Sequence, residues 1–161
     1  FWGAYQKPAL MLSLLRDEVL GPDRFDDAFR DYMRTWAYRH PTPADFFRLM
    51  RDRSGMDLDW FWRGWFFPTA RLDQAIAGIR SADGGSVVEL ENRGTMVMPA
   101  RLEVRYADGT AERVELPVEM WNLGDRFTWH GPPGRRVTSA TLDPAAALPD
   151  VDRDNNHWPR R

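Results

Sequence analysis

The apolar residues of this chain change period once, near Pro68, and that change decides its architecture. Up to Phe67 they recur at steps of three and four, the spacing of one helix face; beyond Pro68 they alternate with polar residues, the spacing of a half-buried strand. The expected fold is therefore α+β, with the two kinds of structure in separate parts of the chain. Residues 1–70 form an all-helical segment, 71–148 an antiparallel β-domain and 149–161 a polar, partly mobile tail, with the boundary near Thr69 to Gln74.

Four helices are expected in the first part. The first runs to Leu20 with Met11, Leu14, Leu15 and Val19 on one face and stops at Gly21-Pro22; Pro8 belongs in its first turn, so it starts around Tyr5 to Lys7. The second carries Phe25, Ala28, Phe29, Tyr32, Met33 and Trp36 along a single stripe, expected to be core. Thr42, Pro43 and Asp45 supply a cap, a first-turn proline and an acid for the positive dipole end of the third, and Gly55 suits its C-terminal cap. Asp57 can cap a fourth, Leu58 to Phe67, which is apolar nearly all round and so expected to be buried on several sides.

In the second part Leu102, Val104 and Tyr106 alternate with Arg101, Glu103 and Arg105, Asp108-Gly109 makes a hairpin turn, and Val114, Leu116 and Val118 return. Further strands are expected at Ala75 to Arg80, Ser86 to Glu91, Arg126 to His130 and Arg136 to Leu142. About seven short strands at regular spacing imply a sandwich of immunoglobulin-like type.

Composition excludes several functions. A formal net charge of −2 across 161 residues gives no reason to expect nucleic acid or an anionic membrane as partner. The arginines are spread among acids, and Lys7 is the only lysine. With no cysteine there is no disulfide, no thiolate chemistry and no Cys-based zinc site. No apolar run approaches the roughly 18 residues that span a bilayer. The first residues lack the plan of a signal peptide, so any export signal is expected upstream, and the compartment stays undetermined.

Tyr5 is the candidate catalytic residue. A phenol at a helix start lies near free backbone N–H groups and the positive dipole end, a place suited to developing negative charge. Read from the residues alone, a lone tyrosine before a leucine-rich helix is more often a packing residue than a catalytic one.

Tyr5-Gln6-Lys7-Pro8 and the helix after it resemble the catalytic-tyrosine region of the aminopeptidase N-like zinc metallopeptidases, the gluzincin family M-one. The resemblance continues in order through Phe25-Asp26-Asp27-Ala28-Phe29-Arg30-Asp31-Tyr32, through Trp36 to Phe47 and through Asp57 to Phe66, and reaches Leu142-Asp143-Pro144 in the β-domain. It implies that the helical segment is the end of a thermolysin-like catalytic lobe, that the chain is the C-terminal part of such an enzyme, and that Tyr5 donates a hydrogen bond to the oxyanion of the tetrahedral intermediate. A peptide substrate and the rest of the catalytic domain are then the implied partners, and self-association through the apolar face of the first helix is a further expectation.

The family's His-Glu-x-x-His is missing, and so are its Gly-x-Met-Glu-Asn-type substrate anchors. His40, His130 and His157 are the only histidines, none paired at four-residue spacing. No metal or cofactor site is therefore expected in this chain; zinc is expected in the intact enzyme with its ligands upstream, and the chain alone is expected to be inactive.

Four other readings bear on function. Trp60 to Phe67 can wedge against the sandwich or form an exposed aromatic platform. Asp26/Asp27 and Asp57/Asp59 suit helix caps and solvated faces better than a glycosidase pair. A non-catalytic protein-interaction scaffold is the alternative to the enzyme, and a carbohydrate-binding sandwich would need exposed Trp121 and Trp129.

Overall fold

Pro8 fixes where the first helix begins, because its ring excludes it from a helix interior. In the computed structural model, which describes residues 6–66, 69–82 and 84–160, α1 spans Lys7–Leu14 with Pro8 in its first turn. The chain divides into two units, Phe1–Phe66 and Phe67–Arg161. The first is helical and the second is built on two antiparallel sheets, so the protein is α+β.

After α1 the helix widens into a π-helical turn, Leu15–Leu20, and ends at Gly21, whose φ of 80° suits only glycine well. The wider π spacing brings Leu20, five residues beyond Leu15, into the buried set with Met11, Leu14 and Leu15. Val19, expected on that face, is only half-buried. Three more helices follow: α2 (Pro22–Trp36), α3 (Pro43–Ser54) and α4 (Asp59–Phe66).

The ends of α3 follow local chemistry. The Asp45 carboxylate accepts the Thr42 N–H at 2.9 Å, the Thr42 hydroxyl accepts the Asp45 N–H at 3.4 Å, and Gly55 closes the helix at φ 67°. For α4, the Asp57 carboxylate accepts the Asp59 N–H at 3.0 Å, and the helix starts one residue later than expected.

The stripe of α2 is buried only at its beginning, which corrects the expectation of a uniform core face. Phe25 and Ala28 are buried, Phe29, Tyr32 and Trp36 are half-buried, and Met33 is 57% exposed. Near its start α2 is held to the π turn by Arg16, whose guanidinium donates to both Asp26 oxygens at 2.8 and 2.9 Å. Further along, the Phe46 ring of α3 meets Tyr32 edge-on at 4.9 Å, a contact that leaves much of the stripe within reach of solvent.

In the second unit β1 (Gln74–Ala82), β2 (Gly85–Asn92) and β5 (Arg126–His130) form a sheet of order β1-β2-β5. A second sheet, ordered β4-β3-β6-β7, contains β3 (Ala100–Tyr106), β4 (Ala111–Leu116), β6 (Val137–Leu142) and β7 (His157–Trp158). All the strand pairings are antiparallel. Ile76, Val88 and Leu90 of the first sheet are buried, as are Leu102, Val104, Ala140 and Leu142 of the second, as alternation requires. The hairpin at Asp108-Gly109 forms with Gly109 at φ 84°. The returning strand stops at Leu116 instead of continuing to Val118: Pro117 has no N–H for the ladder, and its carbonyl instead starts the 3-10 turn Val118–Trp121.

Two contacts fix the loop before β3. The Met98 carbonyl accepts both Gln74 Nε2–H at 2.8 Å and Trp121 Nε1–H at 3.1 Å in the buried interior. Gly94 packs so tightly on the chain before β1 that a Cβ there would lie 2.1 Å from the Arg71 carbonyl oxygen. Residues 149–160, part of the stretch read from sequence as a polar tail, are tied into this unit. Val151 N–H donates to the Leu72 carbonyl at 3.0 Å, Asn155 and Asn156 are buried, and β7 pairs with β6.

Candidate functional site

Tyr5 lies outside the described residues; the structure does describe the helix that follows it. The N-terminus of α1 has no side-chain cap and no acid in its first turn. A helix start with no acid in its first turn leaves the positive dipole end without charge compensation from that turn, which favours negative charge nearby.

The histidines occupy separate elements. His40 is exposed in the segment between α2 and α3; His130 is exposed on β5, in one sheet, and His157 lies on β7, in the other, its Nδ1 3.3 Å from the Thr141 hydroxyl. Among the described residues no group of three or more His, Asp or Glu is arranged to hold a metal ion. The acidic pairs have structural partners. Asp26 binds Arg16, which holds its carboxyl below the ordinary carboxylate range; Asp27 pairs with Arg30 at 2.6 Å, and Asp57 caps α4.

Aromatic rings join α2, α3 and α4. Phe25 stacks on Phe29 at 5.6 Å, Phe29 meets Phe46 at 6.4 Å, Phe47 stacks on Trp62 at 4.4 Å and meets Phe66 at 5.2 Å. Phe61, Trp62 and Trp65 are buried while Phe66 is 59% exposed, so the Trp60 to Phe67 stretch presents no continuous platform among the described residues. Beside this array an open groove of about 470 Å³ runs between α2 and α3, with Trp36 and Leu49 flanked by Asp45, Asp52, Arg48 and Arg53. Its charges are largely matched, Arg48 to Asp45 at 3.8 Å and Arg53 to Asp31 at 3.2 Å. Trp121 is buried on the Met98 carbonyl, which removes one of the two rings that a carbohydrate platform requires; Trp129 is half-buried.

Two clusters in the second unit gave no separate signal in sequence. Tyr106 donates to Glu112 at 2.5 Å and lies under the Arg135 guanidinium, 3.5 Å from its ring centre; burial, then the hydrogen bond to Glu112, pushes its phenol up to about 12. Asp143 is buried with φ 44° and accepts the N–H groups of Ala147 and Leu148 at 3.0 and 2.9 Å, with Arg153 at 3.4 Å. Leu142-Asp143-Pro144 stands out in the sequence only as part of a resemblance, and the backbone groups that Asp143 binds carry no side-chain signature.

No protein-family model matches the sequence, and no curated protein does. Among solved structures, a crystal structure of Legionella pneumophila aminopeptidase A in complex with aspartic acid is similar, with a TM-score of 0.64 and 14% identity over 93% of this chain. The chain spans 18% of the length of that aminopeptidase, and at this identity the likeness is one of fold.

Proposed function

We propose that this chain is the C-terminal part of a zinc-dependent metallopeptidase of the aminopeptidase N-like, gluzincin kind. In this reading the helical unit is the end of the thermolysin-like catalytic lobe and the two-sheet unit is the immunoglobulin-like β-sandwich that follows it. The observation that carries the reading is the likeness of fold to an aminopeptidase over 93% of the chain. It agrees with the order of the sequence segments from Tyr5 to Phe66 that resemble the family.

Tyr5, two residues before α1 in sequence, would donate a hydrogen bond from its phenolic hydroxyl to the oxyanion that forms when water attacks the peptide carbonyl. Zinc, when bound in the intact enzyme, supplies the activated water. None of the three histidines here fits its ligand set, so the ligands and the substrate anchors belong to upstream sequence. The half-buried stripe of α2 and the exposed Phe66 suit packing against the rest of that catalytic lobe.

The coding sequence immediately upstream of Phe1 tests this reading. A His-Glu-x-x-His followed by a further glutamate, with zinc-dependent release of N-terminal residues by the encoded protein, is the expected result. A parent protein that binds no zinc and cleaves no peptide would overturn it. That outcome would favour a protein-interaction scaffold, the reading to which the exposed Met33, Phe66 and Tyr38 also lend themselves; Tyr38 is fully exposed at φ 61°.

A further inference from the structure

Where β1 begins and the turn before β7 closes over it, oxygen atoms gather without a positive charge. Asp150 accepts the Gln74 N–H on Oδ2 at 2.9 Å and the Asp152 N–H on Oδ1 at 3.0 Å, and the Asn156 side chain also bonds to its carboxylate. Asp73 lies close enough for its charge to act on Asp150, and it accepts Asn155 Nδ2–H at 2.8 Å. Among the described residues no arginine, lysine or histidine forms an ion pair with Asp73 or Asp150. Arg153, three residues beyond Asp150, directs its guanidinium to Asp143 and to the carbonyls of Ala146 and Leu148.

The asparagines make the imbalance specific. Asn155 is 4% exposed and Asn156 2%, each sets its amide against one of the two carboxylates, and the Oδ1 of each is buried with no hydrogen-bond donor. Buried acceptors are nearly always satisfied. The acceptors left without a donor are the two amide oxygens, and the two carboxylates beside them, though hydrogen-bonded, carry no ion pair among the described residues. Water can satisfy an amide oxygen, but it brings no charge to set against two neighbouring carboxylates. Oxygen ligands with no nitrogen or sulfur among them suit a hard cation of the calcium class and not zinc. Because among the described residues no third carboxylate or histidine joins the group, the ligand charge is low and weak binding follows, with Kd about 10⁻⁴ to 10⁻³ M.

We propose that Asp73, Asp150, Asn155 and Asn156 form a calcium-class cation site that locks the C-terminal turn onto the start of β1. The proposal does not rest on the peptidase reading.

The test is a titration of the chelator-stripped chain with calcium chloride alone, followed by calorimetry and thermal unfolding. One-to-one binding is expected, with a rise in Tm of about 5 °C at tenfold excess over Kd. Asp73→Asn and Asp150→Asn should each abolish the rise. Asn155→Asp, which adds a third carboxylate, should lower Tm without calcium and tighten calcium binding about tenfold. The absence of binding heat and of any Tm shift in the unaltered chain up to about 10 mM calcium overturns the proposal and leaves the amide oxygens to buried water. Binding that persists unchanged in both Asp→Asn variants also overturns it. The unaltered chain decides the question even if a variant fails to fold.

Discussion

Replacing Asp143 tests whether the second unit is held together by the connections that the structure assigns to it. Its carboxylate accepts the Ala147 and Leu148 N–H groups and the Arg153 guanidinium, and its backbone sits at φ 44°. Asp143→Ala strips the acceptor from two backbone N–H groups, at about 1–3 kcal/mol each when they are buried. It also puts a residue without a stabilising polar side chain into a left-handed conformation, at about 1 kcal/mol. The expected loss is about 3–5 kcal/mol. Asp143→Asn keeps one acceptor oxygen and tolerates the conformation, but turns its NH₂ toward the other N–H, so about 1–3 kcal/mol is expected. Urea unfolding followed by tryptophan fluorescence measures both, and a constant m-value would show that the folded state is what changes. An alanine variant within about 0.5 kcal/mol of the parent would refute the assignment, as would an asparagine variant that costs more than alanine.

The other predictions follow from single contacts. Gly94→Ala, whose Cβ would meet the Arg71 carbonyl oxygen at 2.1 Å, should cost about 2–4 kcal/mol by chemical denaturation, and a neutral effect would contradict the packing. Spectrophotometric titration of the four tyrosines should include a late step near 12 that disappears in Tyr106→Phe. Because the folded pKa is raised, that side chain's contribution to stability is complete below the ordinary phenol value and is lost as pH rises toward 12; a Tyr106→Phe titration that still ends near 12 would refute the assignment. Asp26, lowered by Arg16, has the opposite sign. Its contribution is present above the ordinary carboxylate value and lost as pH falls through the depressed one, so carboxyl NMR should find it titrating below an ordinary aspartate, and Arg16→Gln should return it to the normal range.

Local signals were legible in the sequence and tertiary ones were not. Thr42, Pro43, Asp45 and Gly55 bracket α3, and Asp108-Gly109 turns the hairpin, because each acts on its own backbone within a few residues. The stripe of α2 announced an apolar face but not what would cover it, and only its first turns are buried. The π turn shifted burial from Val19 to Leu20 with no breaker residue to mark it. Alternation carried the returning strand on to Val118, yet the Pro117 carbonyl opens a 3-10 turn. The C-terminal residues look polar in composition, but their asparagines and aspartates act on the backbone and side chains near Gln74, about eighty positions away in sequence, and no local pattern encodes that. The Tyr106, Glu112 and Arg135 cluster is likewise assembled from two strands and a loop. Of the candidate site, the helix start after Tyr5 was readable from Pro8, while the role of the tyrosine came from resemblance alone.

Turnover by the intact parent protein with Tyr5→Phe tests the central claim most directly. Loss of one oxyanion donor should lower kcat on an aminoacyl anilide by about 10²-fold or more, with zinc content, folding and KM little changed. Unchanged turnover in a folded, zinc-loaded variant would contradict the assignment of Tyr5 to the oxyanion and, with it, the catalytic reading of this chain.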